Sequence, residues 1–188
     1  MFIQTETTPN PAVLKFLPGR ELLTEGTREF DDREVARASP LASALFDIDG
    51  VTRVFFAQEF LTVSKDEGRE WSHLKAPILA AIMDHFTAGE PLILDGETEA
   101  ADQTVYEGDS AQIVQEIKDL LDSRIRPAVA QDGGDILFSR FEPDTGVVWL
   151  HMRGACAGCP SSSATLKAGV ENMLRHYVPE VTRVEQAL

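Results

Sequence analysis

Thiols are scarce in this 188-residue chain, which contains only two cysteines, Cys156 and Cys159, separated by two residues. Two cysteines cannot build the disulfide framework that holds small secreted proteins together. Because no other position carries a thiol, the pair is typical of a protein that works in a reducing compartment and uses its thiols for metal binding or redox chemistry.

Long apolar runs and an excess of basic residues are also missing. No run approaches the roughly 20 apolar residues that span a bilayer, and the first six residues lack the basic and apolar segments of a secretory signal. The chain carries 31 acidic and 17 basic side chains, for a formal net charge of −14. We therefore expect neither nucleic acid nor a membrane surface as a partner, because both anionic surfaces bind clustered Lys and Arg.

Residues 91–110 contain six acidic side chains and no basic one. The flanking segments are more balanced: residues 1–90 contain 15 acidic and 9 basic side chains, and residues 111–188 contain 10 and 8. A stretch with unopposed charges, glycines and few apolar residues is typical of a solvated linker. We therefore predict a domain at residues 1–90, an acidic linker at residues 91–109 and a second domain at residues 110–188.

The hydrophobic pattern of the first domain predicts a mixed α/β (α+β) fold. Ser39 is a favourable N-cap, Pro40 suits the first helical position, and Gly50 ends that helix. Residues 71–85 repeat apolar side chains at helical spacing. Segments rich in β-formers predict four strands, at residues 2–6, 13–17, 51–56 and 60–64. We expect these elements to form a small sheet packed with helices.

The second domain is expected to have the same class of fold. An amphipathic helix capped by Asp109 or Ser110 extends to Ile125, with a kink at Arg126–Pro127. A turn at residues 131–135, whose two glycines supply its geometry, ends the helix. The remaining pattern predicts strands at residues 136–141 and 147–152, joined by a five-residue loop, then a helix at residues 161–177 and a short strand at residues 181–185.

The two cysteines lie in a loop that leaves the second strand of this hairpin and enters the following helix. Gly154 and Gly158 allow the tight backbone that such a loop needs. Free N–H groups at the helix start favour a thiolate over a thiol and can donate hydrogen bonds to bound sulfur. We therefore expect Cys156 and Cys159 to hold their sulfur atoms near the surface, where both can bind one metal centre.

Two thiolates are half of the ligand set that tetrahedral zinc sites and iron–sulfur clusters usually require. His73 and His85 lie in the other domain, and His176 lies near the far end of the last helix, roughly 20 Å from the loop. His151 is the near candidate, and we interpret it as a surface residue or one that contacts a ligand, rather than as a ligand itself. The simplest complete site is a dimer in which the two cysteines of each chain bind one shared centre.

The residues alone leave three functions open. A centre held between two chains by exposed ligands is easily assembled and released, which favours a carrier over an electron-transfer protein. A zinc-bridged structural dimer would use the same thiolates. A thiol–disulfide redox protein is the third alternative, although only 29 residues follow Cys159, which leaves no room for the sheet that follows the motif in thioredoxin-like folds.

Several motifs of the second domain resemble the NifU C-terminal (Nfu-type) iron–sulfur scaffold domain. They are Asp132-Gly133-Gly134-Asp135, the run from Gly154 to Ser162, Thr165-Leu166-Lys167 and Val178-Pro179-Glu180-Val181. The first domain is similar to the Nfu N-terminal domain in four motifs: Thr8-Pro9-Asn10-Pro11, the run from Lys15 to Gly19, Ser39-Pro40-Leu41-Ala42 and Leu45-Phe46. The resemblance covers almost the whole chain except the linker.

The resemblance implies an iron–sulfur cluster carrier rather than an enzyme. It implies that a [4Fe-4S] cluster binds between two subunits through Cys156 and Cys159, so that the loaded protein is a homodimer. An upstream assembly scaffold would supply the cluster, apo-proteins that need one would receive it, and a [2Fe-2S] form stays open. The absence of a presequence leads us to expect a bacterial cytoplasmic protein; a processed eukaryotic homologue would lie in the mitochondrial matrix.

Overall fold

The structure is a computed structural model that describes residues 2–94, 105–157 and 160–187, without the side chains at residues 160–163. The chain divides into two compact units, Met1–Glu99 and Ala100–Leu188. Each unit contains one sheet and its own helices, which confirms the predicted α/β class with two domains. Within the described ranges, no helix is long and apolar enough to cross a membrane.

The first unit is built on an antiparallel sheet. Its strands are β1 (Gln4–Thr7), β2 (Val13–Leu17), β3 (Arg28–Phe30), β4 (Val51–Phe56) and β5 (Leu61–Lys65). They form one five-stranded sheet in the order β1-β2-β5-β4-β3. A 3₁₀ turn at Val35–Ala38 precedes α1 (Pro40–Phe46), and α2 (Trp71–Ala88) follows the last strand.

The start of α1 and the end of α2 lie where the local sequence favours them, whereas α1 ends at Phe46 rather than at the predicted Gly50. The Ser39 hydroxyl accepts a hydrogen bond from the Ala42 N–H (3.1 Å) at the start of α1, which confirms the predicted cap. Gly89 ends α2 with a φ of +71°, a left-handed conformation that glycine adopts without strain. Both helices contribute to one buried core with the sheet, whose members include Phe16, Leu41, Leu45, Phe56, Ile78 and Ile82.

Two strands of the first unit differ from the prediction. β1 begins at Gln4 rather than at Phe2, and Phe2 is 80% exposed. β3, at Arg28–Phe30, was not predicted, because three residues are too few to show an alternating pattern. Its pairing with β4, in which Phe30 lies opposite Val54, defines it instead.

The second unit packs its helices against a smaller sheet. Its elements are α3 (Asp109–Leu120), a π-helical turn (Leu121–Ile125), α4 (Arg126–Gln131), β6 (Gly134–Glu142), β7 (Val147–Gly154), α5 (Pro160–Tyr177) and β8 (Arg183–Gln186). β6 and β7 form an antiparallel hairpin, and β8 pairs in parallel with β7 after the α5 crossover. The predicted hairpin, last helix and last strand are therefore confirmed.

A π-helical turn lies directly before Arg126–Pro127, where the sequence predicts a kink. The turn covers Leu121–Ile125, and α4 continues directly from it. Pro127 has no N–H, and its ring crowds the carbonyl of the residue four positions earlier, Ser123. Because Ser123 lies inside the π-helical turn, the wider turn accommodates the proline and the helix continues to Gln131.

Both ends of the predicted acidic linker contact the unit beside them. The Leu94 N–H donates a hydrogen bond to the carbonyl of Ala38 (2.8 Å) in the first unit. The Tyr106 hydroxyl accepts one from the Phe141 N–H (2.8 Å) in the second unit. Residues 95–104, which form most of the predicted linker, lie outside the described residues, and the domain boundaries stay a prediction.

Candidate functional site

The cysteine loop begins at the open end of the β6–β7 hairpin, where β6 starts and β7 ends. Gly134, the first residue of β6, lies opposite Gly154, the last residue of β7. Gly133 has a φ of +83°, and its carbonyl accepts a hydrogen bond from the Ala155 N–H (3.0 Å). The turn predicted at the two glycines is therefore confirmed for Gly133. It connects α4 to β6, and its hydrogen bond to Ala155 holds it against the start of the cysteine loop.

The first half of the loop is a tight turn. The Cys156 N–H donates to the carbonyl of Arg153 (3.3 Å), and the Ala157 N–H donates to the carbonyl of Gly154 (3.1 Å). Gly154 has a φ of +60°, so its predicted role in a tight backbone is confirmed. Gly158 and Cys159 lie outside the described residues, so the placement of Cys159 beside Cys156 stays a prediction.

Cys156 is buried, with only 5% of its surface exposed, and it belongs to the core of the second unit together with Ile136 and Met152. The prediction that both sulfur atoms lie near the surface is therefore wrong for Cys156. The reason is Gly134: a Cβ atom added there would overlap Cys156 Sγ. The sulfur thus occupies the space that a side chain at position 134 would fill.

An ion pair holds the start of β6 against α4. The Arg126 guanidinium donates to both carboxylate oxygens of Asp135, at 2.8 and 3.0 Å, and to Asp122 at 2.9 Å. The Asp135 side chain is 5% exposed. The hydrogen bond between Arg126 and Asp135, more than any other interaction, raises the pKa of Arg126 further above its ordinary value. The guanidinium of Arg126 therefore stays charged.

Sequence reasoning missed this ion pair and the close contact of Gly134 with Cys156. A signal for the ion pair was present, since Asp135 closes the Asp-Gly-Gly-Asp motif and a carboxylate at the start of a buried strand needs a partner. Arg126, nine positions earlier, is the nearest basic residue that precedes Asp135 in the sequence. For the contact of Gly134 with Cys156, no local pattern gives a signal.

The histidines lie as the sequence predicts. His151 is on β7, where Leu150 and Met152 are core residues and His151 is only partly buried. Alternation along the strand therefore places His151 on the sheet face opposite the core. Among residues 2–94, 105–157 and 160–187, no group of three or more His, Cys, Asp or Glu side chains is placed to hold a metal ion.

Lys167, a motif residue on α5, forms an ion pair with Glu185 of β8. Its Nζ lies 2.6 Å from Glu185 Oε2. The hydrogen bond from Lys167 lowers the pKa of Glu185 below its ordinary value of 4.5, and the charge of Arg183 adds to this effect. Nearby on the same edge, the Val184 N–H donates to the Glu171 carboxylate (3.0 Å). Both contacts tie the helix that follows the cysteine loop to the edge of the sheet.

Comparison with known proteins covers both units. Residues 3–89 match a family described as "Scaffold protein Nfu/NifU N terminal", and residues 117–185 match the "NifU-like domain". NifU-like protein 4, mitochondrial, of Arabidopsis thaliana is 52% identical over 99% of this chain and 66% of its own length. NifU-like protein 5, mitochondrial, of the same plant is 51% identical over 99% of this chain and 68% of its own length.

An animal relative and a solved structure are also similar. The "NFU1 iron-sulfur cluster scaffold homolog, mitochondrial" of Drosophila ananassae is 53% identical over 99% of this chain and 64% of its own length. The chain thus spans about two thirds of the length of the curated relatives it matches. The solution structure of a NifU-like protein from Saccharomyces cerevisiae is 28% identical, with a TM-score of 0.47, over 52% of this chain and 87% of its own. Family models match both units, and about half of the residues are identical in the plant relatives. The chain therefore belongs to the Nfu-type family of NifU-like proteins.

Proposed function

We propose that this protein is an iron–sulfur cluster carrier. Two chains hold one [4Fe-4S] cluster as cargo through Cys156 and Cys159 of each chain, and they pass it to apo-proteins. The name of the Drosophila relative, which is an iron–sulfur cluster scaffold homolog, supports the scaffold role. The dimer, the cluster type and the two cysteine ligands come from the residues and from the family resemblance.

One observation carries the proposal: the chain has two thiols, and both lie in a single loop between β7 and α5. A cluster with four iron atoms usually takes four cysteine thiolates. One chain supplies half of this number, so a second chain completes the set, as a two-fold symmetric dimer does with one copy of the same loop from each side.

Transfer in this proposal is an exchange of ligands. Each step breaks one bond between iron and a cysteine of the carrier and forms one between iron and a cysteine of the client. The incoming client thiol gives up a proton, and the released thiolate takes one up, so no electrons change hands. Because the carrier breaks no covalent bond of a substrate molecule, we propose that it is not an enzyme.

The first unit has a separate role in this proposal. It is joined to the cluster-binding unit through the acidic segment, and a client bound to it would experience a raised effective concentration of cluster. An upstream assembly scaffold supplies the cluster. The three relatives are named as mitochondrial proteins, which supports a mitochondrial matrix location over the bacterial cytoplasm that the sequence led us to expect.

Anaerobic reconstitution with ferrous iron, sulfide and a thiol reductant tests the proposal. We expect about four iron and four sulfide ions per two chains, with broad absorption near 400 nm. Cys156→Ala and Cys159→Ala should each lose the colour. His151→Ala, which removes the imidazole nearest to the two cysteines in the sequence, should keep it. A wild-type protein that stays colourless contradicts the proposal.

The same preparation separates the alternatives. About one zinc per two chains without acid-labile sulfide would show a structural zinc dimer instead. Two iron and two sulfide ions per two chains would show that [2Fe-2S] is the cargo. A monomer that cycles between a dithiol and a disulfide with turnover would show a redox protein.

A further inference from the structure

Gly134 and Cys156 share one space at the base of the β6–β7 hairpin. A Cβ atom on residue 134 would overlap Cys156 Sγ and would lie 2.9 Å from the Arg153 carbonyl oxygen and 3.0 Å from the Cys156 nitrogen. Real Cβ atoms essentially never come that close to another heavy atom. The seat of the sulfur, defined as the space next to the Gly134 Cα, therefore exists only because residue 134 has no side chain.

The backbone that forms this seat is held from three sides. Gly134 lies opposite Gly154 in the hairpin, and the carbonyl of Gly133 accepts the Ala155 N–H (3.0 Å). The next residue, Asp135, receives two hydrogen bonds from Arg126. The hairpin pairing and the Arg126–Asp135 ion pair hold the Gly134 side of the seat, so in our proposal the cysteine loop is the part that moves.

A sulfur atom in this seat is poorly placed to bind a shared cluster. Cys156 is 5% exposed and is part of the apolar core. A ligand of a cluster between two chains has to reach a second chain, which requires the sulfur to face outward. The seated arrangement and the cluster-binding arrangement of the loop are therefore two different conformations.

We propose that Gly134 is a positioning residue that shelters the Cys156 thiol, and that the loop must withdraw the thiol from this seat when a shared cluster binds. The withdrawal step rests on the proposed function, whereas the seat does not. Because each state is populated at the expense of the other, the seat weakens cluster binding and favours release of the cluster to a client. Gly134 thus favours the loop conformation that releases the cluster.

A double-mutant cycle on the cluster-free full-length protein tests the seat. The unfolding of Gly134→Ala, Cys156→Ala and the double variant is measured by urea titration. We expect the alanine at position 134 to raise the unfolding equilibrium constant less when Cys156 is alanine, with a difference of about threefold or more. In the double variant the added methyl group still contacts two backbone atoms, so part of the loss of stability persists. If the effects of the two substitutions on unfolding are additive, the proposed contact between residue 134 and the sulfur is wrong.

Gly169→Ala is the matched control for the cycle. Gly169 lies on α5 in the same unit, and a Cβ atom there meets nothing within 4 Å. We expect its effect on unfolding to be the same with Cys156 and with alanine at position 156. An equally large difference for Gly169→Ala would overturn the seat, because the coupling would then not depend on contact with the sulfur.

Thiol alkylation provides a second measurement that does not depend on stability. In a Cys159→Ser background only the Cys156 thiol can react with iodoacetamide. We expect Gly134→Ala to raise the rate of alkylation of the folded, cluster-free protein about tenfold, as overpacking of a core by one methyl group typically does to a conformational equilibrium. Gly169→Ala should leave the rate unchanged. Equal rates for the two variants overturn the sheltering role.

The withdrawal step is tested by cluster loading. Gly134→Ala should take up iron and sulfide faster than the wild type and should pass its cluster to an apo-ferredoxin more slowly. Equal or slower loading overturns the withdrawal step. If the wild type binds no cluster, the proposed function fails, whereas the cycle and the alkylation, which use no iron, still decide whether the seat exists.

Discussion

Arg126 donates hydrogen bonds to both carboxylate oxygens of Asp135, with Nε–Oδ1 and Nη2–Oδ2 distances of 2.8 and 3.0 Å. The pair joins α4 to the first residues of β6, directly beside Gly134 and the cysteine loop. Because the Asp135 side chain is 5% exposed, its charge has little access to water, and the Arg126 guanidinium helps to compensate it.

We predict that Arg126→Gln strongly destabilises the second unit. It removes the guanidinium that donates to both oxygens of the buried Asp135 carboxylate, and breaking a buried ion pair costs about 3 kcal/mol. Urea unfolding followed by Trp149 fluorescence measures the effect. Trp149 is the only tryptophan of the second unit, so a Trp71→Phe background makes the signal specific.

Arg175→Gln is the control for this substitution. Arg175 also forms an ion pair in the second unit, with Glu171 at 3.9 Å, but its side chain is 54% exposed. Exposed pairs contribute little, so we expect a loss below about 1 kcal/mol. Similar losses for the two variants would show that the Arg126–Asp135 pair adds no stability beyond that of a surface pair.

We predict that Gly146→Ala and Gly89→Ala differ in cost although both glycines have a φ of +71°. A Cβ atom at Gly89 meets nothing within 4 Å, so the change carries only the backbone cost of about 1 kcal/mol. A Cβ atom at Gly146 would overlap the Glu180 carbonyl oxygen and lie 2.8 Å from Thr182 Cγ2. The added crowding should raise the cost there to about 3 kcal/mol.

Urea unfolding of each unit measures this difference, with Trp71 as the probe for Gly89→Ala and Trp149 as the probe for Gly146→Ala. Equal losses of unfolding free energy would mean that the segment carrying Glu180 yields to the methyl group, contrary to this prediction.

We predict that acid destabilises the first unit through His85. Both ring nitrogens are buried, and neither has a hydrogen-bond partner among the residues that the structure describes. Burial lowers the pKa of His85 below 6.5; Glu90, 3.9 Å from Nδ1, raises it in part, and the charge of Arg20 lowers it further. The unfolded chain therefore takes up a proton at a higher pH than the folded chain does.

The direction of the effect follows from this difference in pKa. The unfolded state binds more protons as the pH falls below 6.5, so the unfolding free energy of the first unit decreases. Urea unfolding followed by Trp71 fluorescence, at about pH 7.5 and about pH 5.5, should show a smaller decrease for His85→Leu than for the wild type. His73→Gln, an exposed histidine on the same helix, should behave like the wild type. An identical decrease in His85→Leu would contradict the prediction.

The sequence predicts the long helices well, because their pattern repeats over several turns. Residues 71–85 were predicted as a helix and α2 covers Trp71–Ala88; residues 161–177 were predicted and α5 covers Pro160–Tyr177. The cap at Ser39 was also predicted, since the hydroxyl and the N–H that it binds are three positions apart. β3 was missed because its partner strand, rather than its own residues, defines it.

The candidate site was predicted only in its chemistry. The two thiols and the glycines of the loop are local features that the sequence shows directly. Burial of Cys156 depends on Gly134, 22 positions earlier, and the two meet only because β6 and β7 pair in a particular register. A pattern within either segment cannot reveal a contact that the hairpin creates.

The most direct test of the account is anaerobic native mass spectrometry of the reconstituted wild-type protein. It weighs the polypeptides and the inorganic ions of each particle together. We predict one species that contains two chains with four iron and four sulfide ions, and its absence from Cys156→Ala and Cys159→Ala prepared in the same way. A single chain that carries a complete cluster, or a two-chain species that carries zinc and no sulfide, would contradict the account.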